Sequence, residues 1–177
     1  MNLRLSSIVP VLIVLAGGCM PSFEADLPDV EITQHGLKMA GVPGAAQVGD
    51  VSVTSSFTLS SSTTAWAKRL NTEVYVHQVK VAGNGSQADL DFIDLARVTG
   101  NDPTRPEGAT ELLNYARTEG TPPGSDIEVS MPTPIDITTL WSADQPVIEL
   151  QVAGQLPEQD WTVDVTLRLS GKITGRL

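Results

Sequence analysis

Among its 177 residues the chain has a single cysteine, Cys19, and only two histidines, His35 and His77. A lone thiol cannot close an intramolecular disulfide, and it removes every multi-thiolate metal site. With no His-Glu-x-x-His or other paired spacing, a transition-metal site would need both histidines and carboxylates assembled by folding. Positive charge is also scarce: 11 Lys and Arg stand against 21 Asp and Glu, a formal net charge of −10. Phosphate backbones are bound through clustered bases, and Lys68-Arg69 is the one adjacent basic pair, so nucleic acid is a poor candidate partner. The same balance argues against adhesion of the protein surface to anionic headgroups. There is no Gly-x-Ser-x-Gly elbow to support serine catalysis. The 21 acids would let almost any pair be nominated as a glycosidase dyad, so such a nomination carries no information. The apolar stretch from Ile8 to Ala16, interrupted by Pro10, is far short of the ~20 residues of a spanning helix.

What is present at the start of the chain is a cationic residue, Arg4, then that apolar stretch, then Leu15-Ala16-Gly17-Gly18-Cys19. This is the layout of an export signal with a cleavage site behind small residues. It resembles the type II signal peptide of bacterial lipoproteins, whose lipobox ends in an invariant cysteine. That family most often has Leu three residues before the cysteine; here Ala16 holds that place and Leu15 sits one earlier, while Gly17 and Gly18 fit. The resemblance implies removal of residues 1–18, acylation of Cys19 and attachment to membrane lipid through it. Since each buried methylene contributes about 0.8 kcal/mol and stable anchoring needs two signals, a di- or triacylated Cys19 would be a permanent anchor. Met20 is not the Asp that favours inner-membrane retention, so the resemblance implies the outer membrane in an organism with two. Taking 18 from 177 leaves 159 residues, and loss of Arg4 takes the net charge to −11. With Cys19 lipidated, no thiol remains in the body as a nucleophile.

The expected organisation is a signal peptide at 1–18, the lipidated cysteine and a tether at 19–29, and one β-sandwich domain at 30–177. Met20 to Asp29 mixes Pro, acids and isolated apolar residues without a period, and ten extended residues at ~3.3 Å each would reach roughly 30 Å. Beyond it, apolar and polar residues alternate over 30–34, 51–59 and 73–82, the last with Tyr75, His77, Val79 and Val81 read in phase. Ala88 to Val98 reads as a strand with a bulge near Ile93, although Phe92, Ile93, Leu95 and Ala96 also form a helical stripe. Thr110 to Arg117 reads as a strand with a two-turn helix as the alternative, and Ser62 to Leu70 as a short helical or irregular connection. Met131-Pro132-Thr133-Pro134 fits only an edge or a crossing. At the end, 146–155 and 161–169 alternate cleanly, and the short Leu156–Asp160 link leads to the expectation that they pair as a hairpin. The whole describes an all-β fold, an antiparallel β-sandwich of about eight or nine strands, without the Cys…Trp…Cys pattern of immunoglobulin domains.

Few residues offer chemistry. Gly83-Asn84-Gly85-Ser86-Gln87-Ala88 has the spacing of a dinucleotide fingerprint, but Asp89 and Asp91 would face the phosphates and no strand–helix repeat surrounds it, so it reads as a turn. Asn84-Gly85-Ser86, formally a glycosylation acceptor, reads the same way. His77 reads as a hydrogen-bonded or edge histidine, and His35, ahead of Gly36, as the surface end of a strand. Asp89, Asp91 and Asp94 could gather around calcium, but the intervening Leu90, Phe92 and Ile93 favour an acidic wet face. Trp66, Trp141 and Trp161 could line a groove if exposed together; core packing is the default, with Trp141 the best candidate for partial exposure. No cofactor, metal ligand or catalytic residue is assigned; Cys19 is the one site residue. The sequence thus points to a membrane-anchored lipoprotein with a non-catalytic structural or interaction domain and an envelope protein as its partner. The alternative is a ligand-binding lipoprotein, with calcium or carbohydrate as ligand.

Overall fold

The computed structural model describes residues 22–44, 51–59, 71–85, 88–105 and 108–176. Cys19, Trp66 and the 62–70 connection lie outside them. The described residues form eight strands: β1 (Ser22–Met39), β2 (Val51–Thr58), β3 (Asn71–Asn84), β4 (Ile93–Asn101), β5 (Thr110–Ala116), β6 (Asp126–Asp136), β7 (Val147–Gly154) and β8 (Trp161–Arg176). Among the described residues one short helix, α1 (Thr138–Trp141), lies between β6 and β7. They form two four-stranded antiparallel sheets, ordered β1-β8-β3-β6 and β2-β7-β4-β5. The all-β sandwich expected from the alternation is the observed architecture, and its strand order is that of the eight-stranded jelly roll.

Alternating side chains meet in the space between the sheets. Val163, Val165, Leu167 and Leu169 of β8 and Val79 and Val81 of β3 face Ile148, Leu150 and Val152 of β7 and Ala96 and Val98 of β4, all buried. Each large aliphatic side chain so buried is worth about 1.5–3 kcal/mol. Trp141 and Leu140 of α1 close one end of this core, while Trp161, Leu90 and Leu156 close the other.

Three sequence expectations need correction. β7 and β8 do not form a hairpin: β7 pairs with β2 and β4, whereas β8 pairs with β1 and β3. Their apolar faces look toward one core from opposite sheets, and residues 155–160 cross the ~10 Å gap between layers. The Gly83-Asn84-Gly85 turn likewise carries the chain from one sheet to the other, and no helix follows it among the described residues. Second, residues 22–29 are not a tether. Ser22 to Leu27 pair with Arg176 to Gly171 of β8, and the register first slips around Pro28, which has no N–H to give. The sheet therefore begins at Ser22 and not at Val30. Third, Tyr75, His77, Val79 and Val81 do not share one face: Tyr75 and His77 point outward, whereas Val79 and Val81 point into the core. His77 is the extra residue of a bulge between Val76 and Gln78, so Val74 and Val76 face the core before it and Val79 and Val81 after it.

Other expectations hold. β5 is a strand, and the register of β4 against β7 slips between Ile93 and Leu95, where a bulge was expected, although the strand starts at Ile93 and not at Ala88. β6, which contains Pro132 and Pro134, is an edge strand.

Strand direction gives the sandwich two distinct ends. The start of β1 and the end of β8 share one end with the end of β2, the start of β3, residues 102–105 and the link 137–146. At the opposite end lie the described parts of four links, residues 40–44, 88–92, 117–125 and 155–160. These four are knitted together by backbone hydrogen bonds from Val42 N–H to Pro157 O, Leu90 N–H to Gly124 O and Gln155 N–H to Phe92 O, at 2.8, 2.7 and 3.0 Å.

Candidate functional site

Polar clusters decorate the outer face of the β1-β8-β3-β6 sheet. In β1 the chain bulges at His35-Gly36, where Gly36 has φ +62°, a conformation that L side chains rarely adopt. The bulge is held by Asp164 of β8, whose Oδ1 accepts the Gly36 N–H at 2.9 Å and an Asn84 Nδ2–H at 2.5 Å, while Oδ2 contacts His35 Nδ1 at 2.7 Å. His35 is thus at the surface, as expected, but within a strand that continues to Met39 and not at its end. Burial is the strongest single influence on Asp164 and opposes its ionisation. The donors from Gly36, His35 and Asn84, with the attraction of His35, together outweigh it and hold the carboxyl below the usual aspartate range.

This bulge yields a signed pH prediction. Because the folded value is depressed, the stabilisation is complete above the unfolded value of about 3.9 and is lost as pH falls through the folded one. Asp164→Asn is expected to cost about 1–2 kcal/mol at neutral pH. The gap between the two unfolding midpoints should close as the pH is lowered below about 4. A gap that is the same at pH 7 and below 3 would show that the carboxylate charge does not hold the bulge.

His77 Nε2 lies 2.5 Å from Ser170 Oγ, a cross-strand pair on the same face, so the hydrogen-bonded reading of His77 holds, on an inner strand and not at an edge. Among the described residues no His, Cys, Asp or Glu gather in threes at metal-binding distances. Asp91 accepts the Gly124 N–H at 2.9 Å, Asp94 meets Arg117 Nη1 at 3.2 Å, and Asp89 is exposed in its link. Two of the three acids considered for calcium are therefore engaged with donors of the chain itself. Trp161 is in the core, as expected. Trp141 is fully buried on α1 as well, so the core-packing default holds for it and the partial exposure for which it was the best candidate does not occur, because residues 137–141 fold inward over the core end.

A groove of about 510 Å³ lies on the outer face of the β2-β7-β4-β5 sheet, at the end opposite Ser22. Its floor is a cross-strand row in which Leu95 of β4 stands between Ala116 of β5 and Ala153 of β7. The bulge at Asp94 produces this arrangement: an extra residue after buried Ile93 turns Leu95 outward, leaving it 48% exposed, before Ala96 points inward again. Gly154 permits the bulge. Its φ is +148°, and a Cβ there would overlap the Phe92 carbonyl oxygen. Arg117 and Glu119 form the wall, with the Arg117 guanidinium bonded to the Asp91 carbonyl at 2.8 Å and to Asp94.

The chain matches no family model and no curated protein. Among solved structures it is similar to a decameric BFDV capsid protein, at 12% identity over 86% of this chain and 99% of that one, with a TM-score of 0.40. It is also similar to the structure of cocksfoot mottle virus, at 11% identity over 100% and 97% of the two chains with a TM-score of 0.36. For Desmodium yellow mottle tymovirus the values are 12%, 97%, 97% and 0.30. Likenesses at this level carry no argument about what the chain does.

Sequence reasoning did not single out Leu95, Arg117, Glu119 or Gly154. The available signal was Leu95 itself, an apolar residue on the wet phase of a strand whose Ala96 and Val98 face the core. It was absorbed into the competing helical stripe of Phe92, Ile93, Leu95 and Ala96.

Proposed function

We propose that this protein is a bacterial envelope lipoprotein, held to the membrane through acylated Cys19 after loss of residues 1–18, that presents a β-sandwich as a non-catalytic interaction module to another envelope component. The observation that supports this most directly is the position of Ser22. All eight strands lie downstream of Cys19, so removal of 1–18 leaves every paired strand of the sandwich intact. Only Met20 and Pro21 separate the cysteine from β1. Three residue steps at ~3.3 Å give a reach of about 10 Å, so the body sits close to the lipid and not at the end of a 30 Å tether. No helix among the described residues is long and apolar enough to cross a membrane, and the acyl chains supply attachment. Met20 favours the outer over the inner membrane in a two-membrane organism.

The test is fractionation of cells producing the native chain or Cys19→Ser. The native protein is expected in the membrane fraction with a lipid-sized mass increase on its N-terminal peptide, and the variant in the soluble fraction. Full membrane retention of Cys19→Ser, or an unmodified Cys19 peptide, would sink the anchor.

A further inference from the structure

We propose that the groove around Leu95 is the docking site for a cationic segment of a partner protein, one that presents an apolar side chain flanked by Lys or Arg. This deepens the interaction reading above and rests on it for the biological setting. Two large apolar side chains are exposed among the described residues, Phe23 and Leu95. Phe23 lies four residues past Cys19 at the lipid-facing end. Leu95 lies at the other end, in a groove with room for a side chain or two. At ~3.3 Å per residue the 16-residue β8 separates the ends by about 50 Å, so an anchored molecule holds the groove away from the bilayer, where a partner can reach it.

Charge selects the partner. The described links at this end carry Asp89, Asp91, Glu119, Glu158 and Asp160 against a single base, Arg117. Arg117 is already engaged by Asp94 and the Asp91 carbonyl, so its charge is locally offset. The groove therefore has an apolar floor, Leu95 with Ala116 and Ala153, under a negative field. An acidic or phosphate-bearing ligand is repelled there. A second copy of this chain is disfavoured as well, because it brings the same acidic end and a net charge of −10. A basic segment is attracted by the rim and gains by covering Leu95.

Soluble full-length Cys19→Ser protein separates this test from the anchor question, since it binds or fails to bind whether or not the native chain is acylated. The probes are three labelled peptides of equal length: alternating Lys and Leu, alternating Glu and Leu, and Lys with Ser in place of Leu. Fluorescence anisotropy should show the Lys–Leu peptide binding at least tenfold more tightly than either other, and weakening as salt is raised. Leu95→Ser should reduce its affinity about tenfold, and Glu119→Gln measurably, whereas Asp29→Asn, the same change in net charge on the other sheet, should leave it unchanged. Circular dichroism melting of each variant checks the fold, and both groove substitutions are at exposed positions. The proposal is overturned if the Glu–Leu peptide binds as well as Lys–Leu, if Asp29→Asn and Glu119→Gln act alike, or if Leu95→Ser has no effect. It is overturned in favour of a second copy if the soluble protein dimerises in sedimentation and Leu95→Ser abolishes the dimer.

Discussion

Gly154→Ala is expected to lower the unfolding free energy by about 3 kcal/mol, far beyond the usual cost of one methyl group. Two effects add. Gly154 has φ +148°, where any L side chain is strained, and the new Cβ would collide with the Phe92 carbonyl oxygen and lie 2.9 Å from the Asp94 nitrogen. Those neighbours are backbone, so no rotamer change relieves the overlap. They are also pinned, because the Phe92 carbonyl accepts the Gln155 N–H at 3.0 Å and the Ile93 N–H is held by the Leu90 carbonyl at 2.9 Å. Gly108→Ala supplies the comparison, since nothing lies within 4 Å of its Cβ direction and its φ is ordinary. That variant is expected to be neutral or to gain a few tenths of a kcal/mol from a stiffer unfolded chain. Urea unfolding distinguishes them through the midpoint at constant slope. If Gly154→Ala costs less than about 1 kcal/mol, the β4 bulge yields easily, and it cannot be what turns Leu95 outward.

The limits of reading this fold from its sequence are visible at the same places. Alternation marks which residues of a strand face a core, and Ile148, Leu150, Val152, Val163, Val165 and Leu167 are all buried as it requires. It does not say whether two such strands lie side by side or face to face, since both arrangements bury the same positions. That is why 146–155 and 161–169 read as a hairpin although they belong to opposite sheets. Bulges were the second obstacle. An extra residue at His77 shifts the phase of everything after it, so Tyr75 and Val79, two apart on either side of His77, point to opposite faces. The slip near Ile93 was legible because Asp89, Asp91 and Asp94 are weak helix formers and favour a bulged strand over the helical stripe, but its consequence, an outward leucine, was not. The tether failed for a compositional reason: Phe23, Ala25 and Leu27 do alternate with Glu24 and Asp26, but Pro21 and Pro28 masked a strand. The groove could not be read in advance because its residues come from three strands and a link whose neighbours only the sheet order defines.

Trp161→Ala is expected to cost about 3–5 kcal/mol, whereas Trp161→Phe should cost under about 1.5 kcal/mol. Trp161 opens β8, pairs with Met39 and is 3% exposed. Its ring meets Phe92 edge to face, centroids 5.0 Å apart at 89°. Truncation to alanine leaves a large void at the end of the core that also supports the β4 bulge, and the Phe92 ring loses its partner. Phenylalanine fills most of that volume and keeps an aromatic pair. It also removes a liability, since the Trp161 indole N–H is buried without a hydrogen-bond partner, a state that costs about 1–3 kcal/mol relative to solvation in the unfolded chain. Both substitutions remove that donor, so the difference between the two variants reports the ring volume and the aromatic pair alone. Calorimetric melting of both provides the check. Equal destabilisation would mean that Trp161 contributes through a specific contact of its N–H and not through ring packing. A small loss in both would mean that this end of the sandwich closes without it, and that the links around the Leu95 groove are ordered by their own hydrogen bonds alone.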